Sequence, residues 1–412
     1  MLQNPFTSKT FQHVWLKHFK PDISMEELNN GEALLAIPSE SKLFQYNVGS
    51  TLTKGITYNS EHIRPEQLKR PLLIYDVLPH SSEALEVKHK DISFYKTKQY
   101  PGFLIELHKY RDVHDYLQQR FSKSSRSKIR KYKRRLEQSF NVKEILFSGE
   151  VKREEFDAIF LSFRHLLQKR YEDKQIYNNN LDSAEWNFYR DVAFALLKEQ
   201  KAALYVMYAN NQPISITLLY FSEHVVYDAI TVFDIDYSKF HVGSTTLVNL
   251  IDWCFKNQMK IFDFSKGYFD YKTRWCTKTY DFYYHIWCRK NHYPSRIVAR
   301  TLKMLFDVKQ YLRSKKINEA LHRWTWKIKN ASHPSKTSTY KLMELEVAYK
   351  FEVSKPIDFH LETNRHLKRA VFEYLYLYQD HVNQVKLFQL EAPHTYLIKG
   401  KKHQIQLIFT NN

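Results

Sequence analysis

The sequence predicts a mixed α/β (α+β) fold, a mixed sheet flanked by helices, and three observations carry that prediction. Strand-like runs rich in β-branched and aromatic residues alternate with runs of helical apolar spacing. Only eight glycines occur in 412 residues, and between Gly149 and Gly400 the only ones are Gly243 and Gly267. Each of these two lies beside a strand-like run, with a helical segment between them. That order reads as strand, glycine loop, helix, strand.

The elements follow in chain order. Residues 11–107 hold strand-like pieces at 33–37, 72–77 and 103–107 among turns rich in Pro, Ser and Asn. Residues 120–135 carry nine basic side chains and no acid, with Ile129, Tyr132, Leu136 and Phe140 as a narrow apolar seam, so a helix with basic flanks is expected. Phe156, Phe160, Phe163 and Leu167 repeat the pattern over 152–170. Asp182, with Glu185 three residues on, forms a capping box for a helix through Trp186, Tyr189, Val192 and Leu196. Residues 203–209 and 214–221 flank Asn210-Asn211-Gln212-Pro213 and read as a hairpin. Val225 to Val232 is a further strand, and residues 237–246 form a loop around Gly243 that ends in N-cap residues. Leu247, Leu250, Ile251 and Cys254 give a helix from Thr246 to Asn257, and residues 260–264 a short buried strand ending at Ser265-Lys266-Gly267. Tyr280, Phe282, Tyr283 and Tyr284 fall on a hairpin, as core residues or as a stacking wall for a sugar. Residues 295–330 read as a basic helical stretch and 330–339 as a linker. The segments 340–351, 367–378, 385–390 and 404–409 together read as a small, strand-leaning C-terminal domain.

Composition narrows the function. Hydrophobic content of 43% with 16% aromatics excludes a disordered or fibrous chain. Cys254, Cys276 and Cys288 form no CxxC pair and no zinc-like spacing with histidine, so reduced thiols and no metal are expected. The N-terminus lacks the pattern of a signal peptide, and no apolar run reaches bilayer length, so a cytoplasmic protein is expected, with peripheral attachment at the inner membrane face a further option. There is no GxSxG, HExxH, Walker loop or GxGxxG. The net charge of +19 calls for a phosphate-bearing ligand, nucleic acid or an anionic membrane surface. Arg126 and Arg130, four apart on the basic helix, are the pair expected to grip the phosphates of a nucleotide- or lipid-linked substrate, or else tRNA or the membrane.

A strand, a glycine loop and a helix N-terminus together form an anion site, because first-turn amides lack intrahelical partners and the helix dipole favours negative charge there. Lys239 adds a cation. The plainer reading is an ordinary βαβ crossover. His241 within the loop packs or faces solvent.

Lys239-Phe-His-Val242-Gly243-Ser244-Thr245 resembles the acyl-CoA pyrophosphate loop of GNAT-superfamily acyltransferases, with Thr245 where that pattern usually has a second small residue. Asp263-Phe-Ser-Lys-Gly267-Tyr-Phe-Asp-Tyr271-Lys272-Thr-Arg-Trp275 resembles the motif of the BioF-like or CelD-like acetyltransferase domain, a group related to the Fem-type aminoacyltransferases. The resemblance spans roughly residues 101–293. It implies a GNAT-like mixed sheet in two lobes: a degenerate lobe at 1–110 and the acyltransferase domain at 111–294. A helical basic extension and linker at 295–335 and the small domain at 336–412 complete the division. It also implies a donor, acetyl-CoA or another acyl-CoA, lying between strands 225–232 and 260–264 where they splay, with a backbone amide polarising its carbonyl. Lys239, Val242, Gly243, Ser244 and Thr245 would hold the donor. Asp263 would act as base or orient the acceptor, its alternative being a strand-end carboxylate paired with Lys272 or Arg274. Lys272 would stabilise the oxyanion or a sugar phosphate, and Tyr271 would relay a proton to the departing thiolate, its alternative being packing. Gly267 and Trp275, with Arg126 and Arg130, are assigned to the acceptor. The expected reaction is acyl transfer to an amine of a phosphate-bearing sugar or cell-envelope precursor. The alternatives are aminoacyl transfer from tRNA to a peptidoglycan precursor and a non-catalytic nucleic-acid-binding protein.

Overall fold

The structure is a computed structural model that describes residues 4–24, 35–79, 90–315, 339–345 and 356–410. In chain order the helices are α1 (Lys9–Phe19), α2 (Val113–Arg120), α3 (Lys123–Ser139), α4 (Arg153–Lys174), α5 (Ser183–Lys198), α6 (Val242–Lys256), α7 (Asp270–Trp275), α8 (Tyr293–Ser314) and α9 (Arg365–Tyr378). The strands are β1 (Ala36–Pro38), β2 (Gln45–Asn47), β3 (Leu72–Val77), β4 (Ile92–Glu106), β5 (Val142–Phe147), β6 (Ala202–Ala209), β7 (Gln212–Phe221), β8 (Val225–Phe233), β9 (Ile261–Lys266) and β10 (Lys278–Arg289), followed by β11 (Thr339–Glu344), β12 (Pro356–Ile357), β13 (Lys386–Gln389), β14 (Thr395–Lys399) and β15 (Gln404–Thr410).

The first ten strands make one mixed sheet in the order β1-β2-β3-β10-β4-β9-β8-β7-β6-β5. Its only parallel ladders are β2–β3 and β8–β9, among the described residues. The N-terminal strands therefore extend the same sheet that carries the central strands. One face is covered by α1, α4 and α5, whose Phe11, Phe160, Phe163 and Leu196 close the largest core. The other face carries α2 and α6, with Tyr116, Leu250 and Ile251 packed on Phe262 and Phe264. The Asn210-Asn211 turn has φ of 49° and 65° at its two central residues, the backbone a two-residue hairpin needs to match strand twist.

The last five strands form a separate antiparallel sheet with α9 against it. This domain shares a core with the first: Phe372 of α9 lies 5.0 Å from Phe140 and 4.6 Å from Tyr237, ring to ring. Arg135 Nη1 donates to the Tyr376 carbonyl at 2.7 Å.

Several expectations change. Residues 367–378 are helical, because Leu367, Ala370, Val371, Tyr374 and Leu375 are buried along one helical face. Asp182 sits at the start of α5 but makes no cap; its carboxylate accepts from the Tyr177 hydroxyl instead. The helix after β8 begins at Val242, four residues early, with left-handed His241 (φ 49°) at its cap. Gly243 thus lies in the first helical turn, where a Cβ would stand 3.0 Å from the Phe233 ring. The 330–339 linker, bar Thr339, and parts of the 33–37, 295–330 and 340–351 segments lie outside the described residues.

The 3₁₀ turn between β8 and α6 is held by a buried ion pair. Lys169 of α4 donates to Asp234 and Asp236, each at 2.5 Å. Removing the ammonium leaves two buried carboxylates uncompensated, so Lys169→Met should cost about 3–5 kcal/mol in a urea unfolding experiment.

Candidate active site

β8 and β9 stay paired only from Val225–Ile261 through Val226–Phe262 to Tyr227–Asp263. Beyond that point β8 continues along β7 to Phe233 while β9 continues along β4 to Lys266. The strands fork at Asp263. At the same level β8 carries a bulge between Asp228 and Ile230, which takes one residue out of the ladder and re-aims its neighbours. On the other limb, Ser265 (φ 58°) and Gly267 (φ 100°) turn the chain sharply.

Asp263 is 4% exposed. Its carboxylate accepts from the Tyr280 hydroxyl at 2.9 and 2.7 Å and from the Ser265 amide at 2.7 Å. Burial pushes its pKa up to about 7; the Tyr280 and Ser265 hydrogen bonds and Lys272 pull down, and Asp228 pushes up. Tyr280 belongs to β10, and β4 lies between β10 and β9. Its ring crosses β4 at Gly102, where any Cβ would sit 2.3 Å from it. Glycine is required there for close approach.

Lys272 of α7 is buried, and its Nζ donates to the carbonyls of Phe264 at 2.7 Å and Lys266 at 2.9 Å. These bonds fix the outer end of β9. Burial lowers its pKa to about 8, against the pull of Asp228 and Asp263. Asp228, buried on β8, accepts from Thr231 Oγ1 at 2.7 Å, and burial raises its pKa.

The segment before β4 completes the cluster. Lys266 bridges to Asp76 of β3, and Ser265 Oγ donates to the Lys54 carbonyl at 3.1 Å. Burial, with Lys266 and Lys272 adding to it, brings Lys54 down to about 7. Asp76 Oδ1 and the Tyr220 hydroxyl are buried without a hydrogen-bond partner. Orphaned polar atoms beside a buried acid mark a place where a polar ligand or water belongs.

The sequence-predicted residues divide. Asp263, Lys272 and Gly267 lie at the fork. Tyr271 stands edge-on to Phe264 with ring centres 6.0 Å apart, and burial holds its hydroxyl well above its ordinary pKa. Trp275 is buried, its ring 4.7 Å from Phe121 and its carbonyl taken by Tyr116. Arg126 Nη1 donates to the carbonyls of Gln118 and Phe121, which ties α3 to α2, while Arg130 is exposed on α3. Lys239 is paired with Glu373 of α9 at 2.6 Å. Val242 is buried, Gly243 faces Phe233, Ser244 is half-buried, and Thr245 Oγ1 is buried without a partner in the first turns of α6. His241 at that helix start stacks on Tyr132 at 4.0 Å, and burial and the cations Arg274 and Lys239 lower its pKa. The start of α6 therefore sets an orphaned hydroxyl and the charge of an exposed Arg274 near His241, whose carbonyl takes the Ser244 and Thr245 amides at 2.8 and 3.3 Å.

Lys54, Asp76, Asp228 and Tyr280 were not singled out from sequence as polar site residues. Asp228 and Asp76 did leave a signal, as lone acids inside apolar strands. Lys54 left none.

Asp263 titrates near 7 in the fold and near 3.9 in an unfolded chain, so its contribution to stability is full below about pH 4 and is lost as pH rises through 7. Asp263→Asn keeps a neutral acceptor in place. Its stability relative to wild type should grow between about pH 5 and 8 towards about 4 kcal/mol, read from urea midpoints across that range.

The family model for an acetyltransferase (GNAT) domain matches residues 123–273, from α3 to α7 and across the whole fork. No curated protein sequence matches the chain. Among solved structures, FemX is 11% identical, with 66% of this chain and 86% of that one covered at a TM-score of 0.44. A conserved protein of unknown function from Bacteroides thetaiotaomicron is 10% identical, with 70% and 92% covered at 0.42. The C-terminal domain of a candidate lysylphosphatidylglycerol synthetase from Agrobacterium fabrum is 10% identical, with 66% and 89% covered at 0.40. At such TM-scores the family match is what counts. Residues 123–273 match an acetyltransferase (GNAT) domain, and the flanking strands extend the sheet they carry.

Proposed function

We propose that the protein transfers an acyl group, acetyl from acetyl-CoA, to an amine on a phosphate-bearing sugar or cell-envelope precursor. The observation that carries this reading is the parting of β8 from β9 at Asp263, a buried carboxyl with a pKa near 7. Acyl transfer needs a base for the incoming amine and a donor for the developing oxyanion. Asp263 takes the proton of the attacking amine, and a general base works best when its pKa lies near the working pH. The bulge at Asp228–Ile230 offers a backbone amide, free of the ladder, to the carbonyl oxygen. As the C–S bond breaks, its electron pair leaves on the thiolate, and Tyr271 supplies the proton.

Lys272 is a positioning residue in this scheme. Its ammonium hydrogens are directed at strand carbonyls, so it keeps β9 turned away from β8 and biases the charge at Asp263. The start of α6 with Arg274 receives the donor's phosphates. The acceptor enters from the side of Lys54, Asp76 and Tyr220, where the orphaned polar atoms lie. Lys54 and Lys266 there suit a phosphorylated or otherwise anionic acceptor.

Calorimetry with acetyl-CoA tests the donor. Wild type should bind in the micromolar range, Arg274→Glu about tenfold more weakly, and Asp263→Asn as tightly as wild type. With an accepted amino sugar, Asp263→Asn should lower kcat by about 10²–10⁴. Absence of acetyl-CoA binding by wild type would sink this reading and bring aminoacyl-tRNA forward as donor.

A further inference from the structure

Among the described residues, α8 is covered on one side only. Its inner face sets Ser295 and Ala299 into the fold and packs Leu302 and Phe306 against Tyr75, Tyr95 and Tyr284, with Phe306 edge-on to Tyr284 at 4.9 Å. The opposite face carries Ile297, Met304, Leu305, Val308, Tyr311 and Leu312, which are 63%, 60%, 54%, 51%, 62% and 42% exposed. These positions recur at the three- and four-residue spacing of a single helical face. A helix of this length runs about 33 Å, so the stripe is a long apolar strip open to water. Monomeric soluble proteins rarely leave so continuous a patch without a use.

Charge identifies what covers it. Within α8 the basic residues are Arg296, Arg300, Lys303, Lys309 and Arg313, against the single acid Asp307, which Lys303 neutralises at 2.6 Å. Arg289 and Lys290 precede the helix and Lys315 follows it. Exposed Arg300 and Lys309 fall on opposite margins of the apolar stripe. Two copies of a chain with net charge +19 would repel each other across such a face. An anionic bilayer offers apolar depth beneath a negative surface, and basic margins around an apolar strip match that profile. Tyr293 and Tyr311, exposed near the two ends, have the apolar ring and polar tip that suit a headgroup boundary. No helix among the described residues is long and apolar enough to cross a membrane, so the contact is a surface one.

We propose that the outer face of α8 docks the protein lengthwise on an anionic lipid bilayer. The contact rests on α8 alone and stands whether or not the acyl-transfer reading does. It needs no residue of the fork.

Co-sedimentation of the full chain with vesicles tests it. Wild type should bind vesicles of phosphatidylcholine mixed with phosphatidylglycerol and not vesicles of phosphatidylcholine alone, and added salt should weaken the binding. The double variant Met304→Glu, Val308→Glu changes only exposed side chains and should bind about tenfold or more weakly while keeping the wild-type melting profile. Should that variant fail to fold, Thr301→Glu, exposed on the same stripe, carries the same expectation. Wild type that stays off phosphatidylglycerol vesicles overturns the proposal, as does a folded variant that binds as wild type does. A wild-type dimer in light scattering that the substitutions dissolve, with vesicle binding unchanged, would give the face to a second copy. Monomeric wild type that ignores vesicles would give it to residues 316–338 of this chain.

Discussion

The site depends on how far two parallel strands stay together. β8 and β9 are joined by α6, and their ladder ends at Tyr227–Asp263, where each strand goes on with its other neighbour. β8 keeps its bonds to β7 through a bulge, and β9 keeps its bonds to β4 while Lys272 caps its outer carbonyls. A carboxylate at the apex of such a fork has lost most of its water, and the hydrogen bonds from Tyr280 and Ser265 only partly replace it.

The flanking sequence makes this site composite. The segment 123–273 that matches the GNAT domain supplies the fork, Asp263 and Lys272, but Tyr280 arrives from β10 and Gly102 from β4. Asp76 arrives from β3 and Lys54 from the connection between β2 and β3. One sheet runs through all of them, so the buried charges can be balanced across segments that are distant in sequence. Three lysines and three aspartates are gathered around one fork, and each carboxylate is raised and Lys54 and Lys272 are lowered by the same lack of water. Displaced in opposite directions, Asp263 and Lys54 at about 7 and Lys272 at about 8 can change charge near neutral pH.

What could be read from the sequence was local. The Asn210-Asn211 turn, β3, the strand at 225 and the Asp263–Lys272 block follow from neighbours a few residues apart. The departures come from partners far along the chain. The Tyr132 ring stacks on His241 and Phe233 covers Gly243, so α6 starts earlier than its N-cap residues imply. Glu373 holds Lys239. Tyr280 looked like one more aromatic in a strand until Gly102 gave its ring a path across β4. The helix at 365–378 had the spacing of a buried face, but its tyrosines and valine read as a strand.

The most direct measurement is the titration of the Asp263 carboxyl itself, followed by carbon-13 NMR of aspartate-labelled protein and assigned with Asp263→Asn. A midpoint near 7 is predicted, moving higher in Tyr280→Phe, because that hydroxyl stabilises the charged form. A midpoint near 4, the value of a carboxylate in water, unmoved by loss of the Tyr280 hydroxyl, would contradict the placement of a buried base where β8 and β9 part.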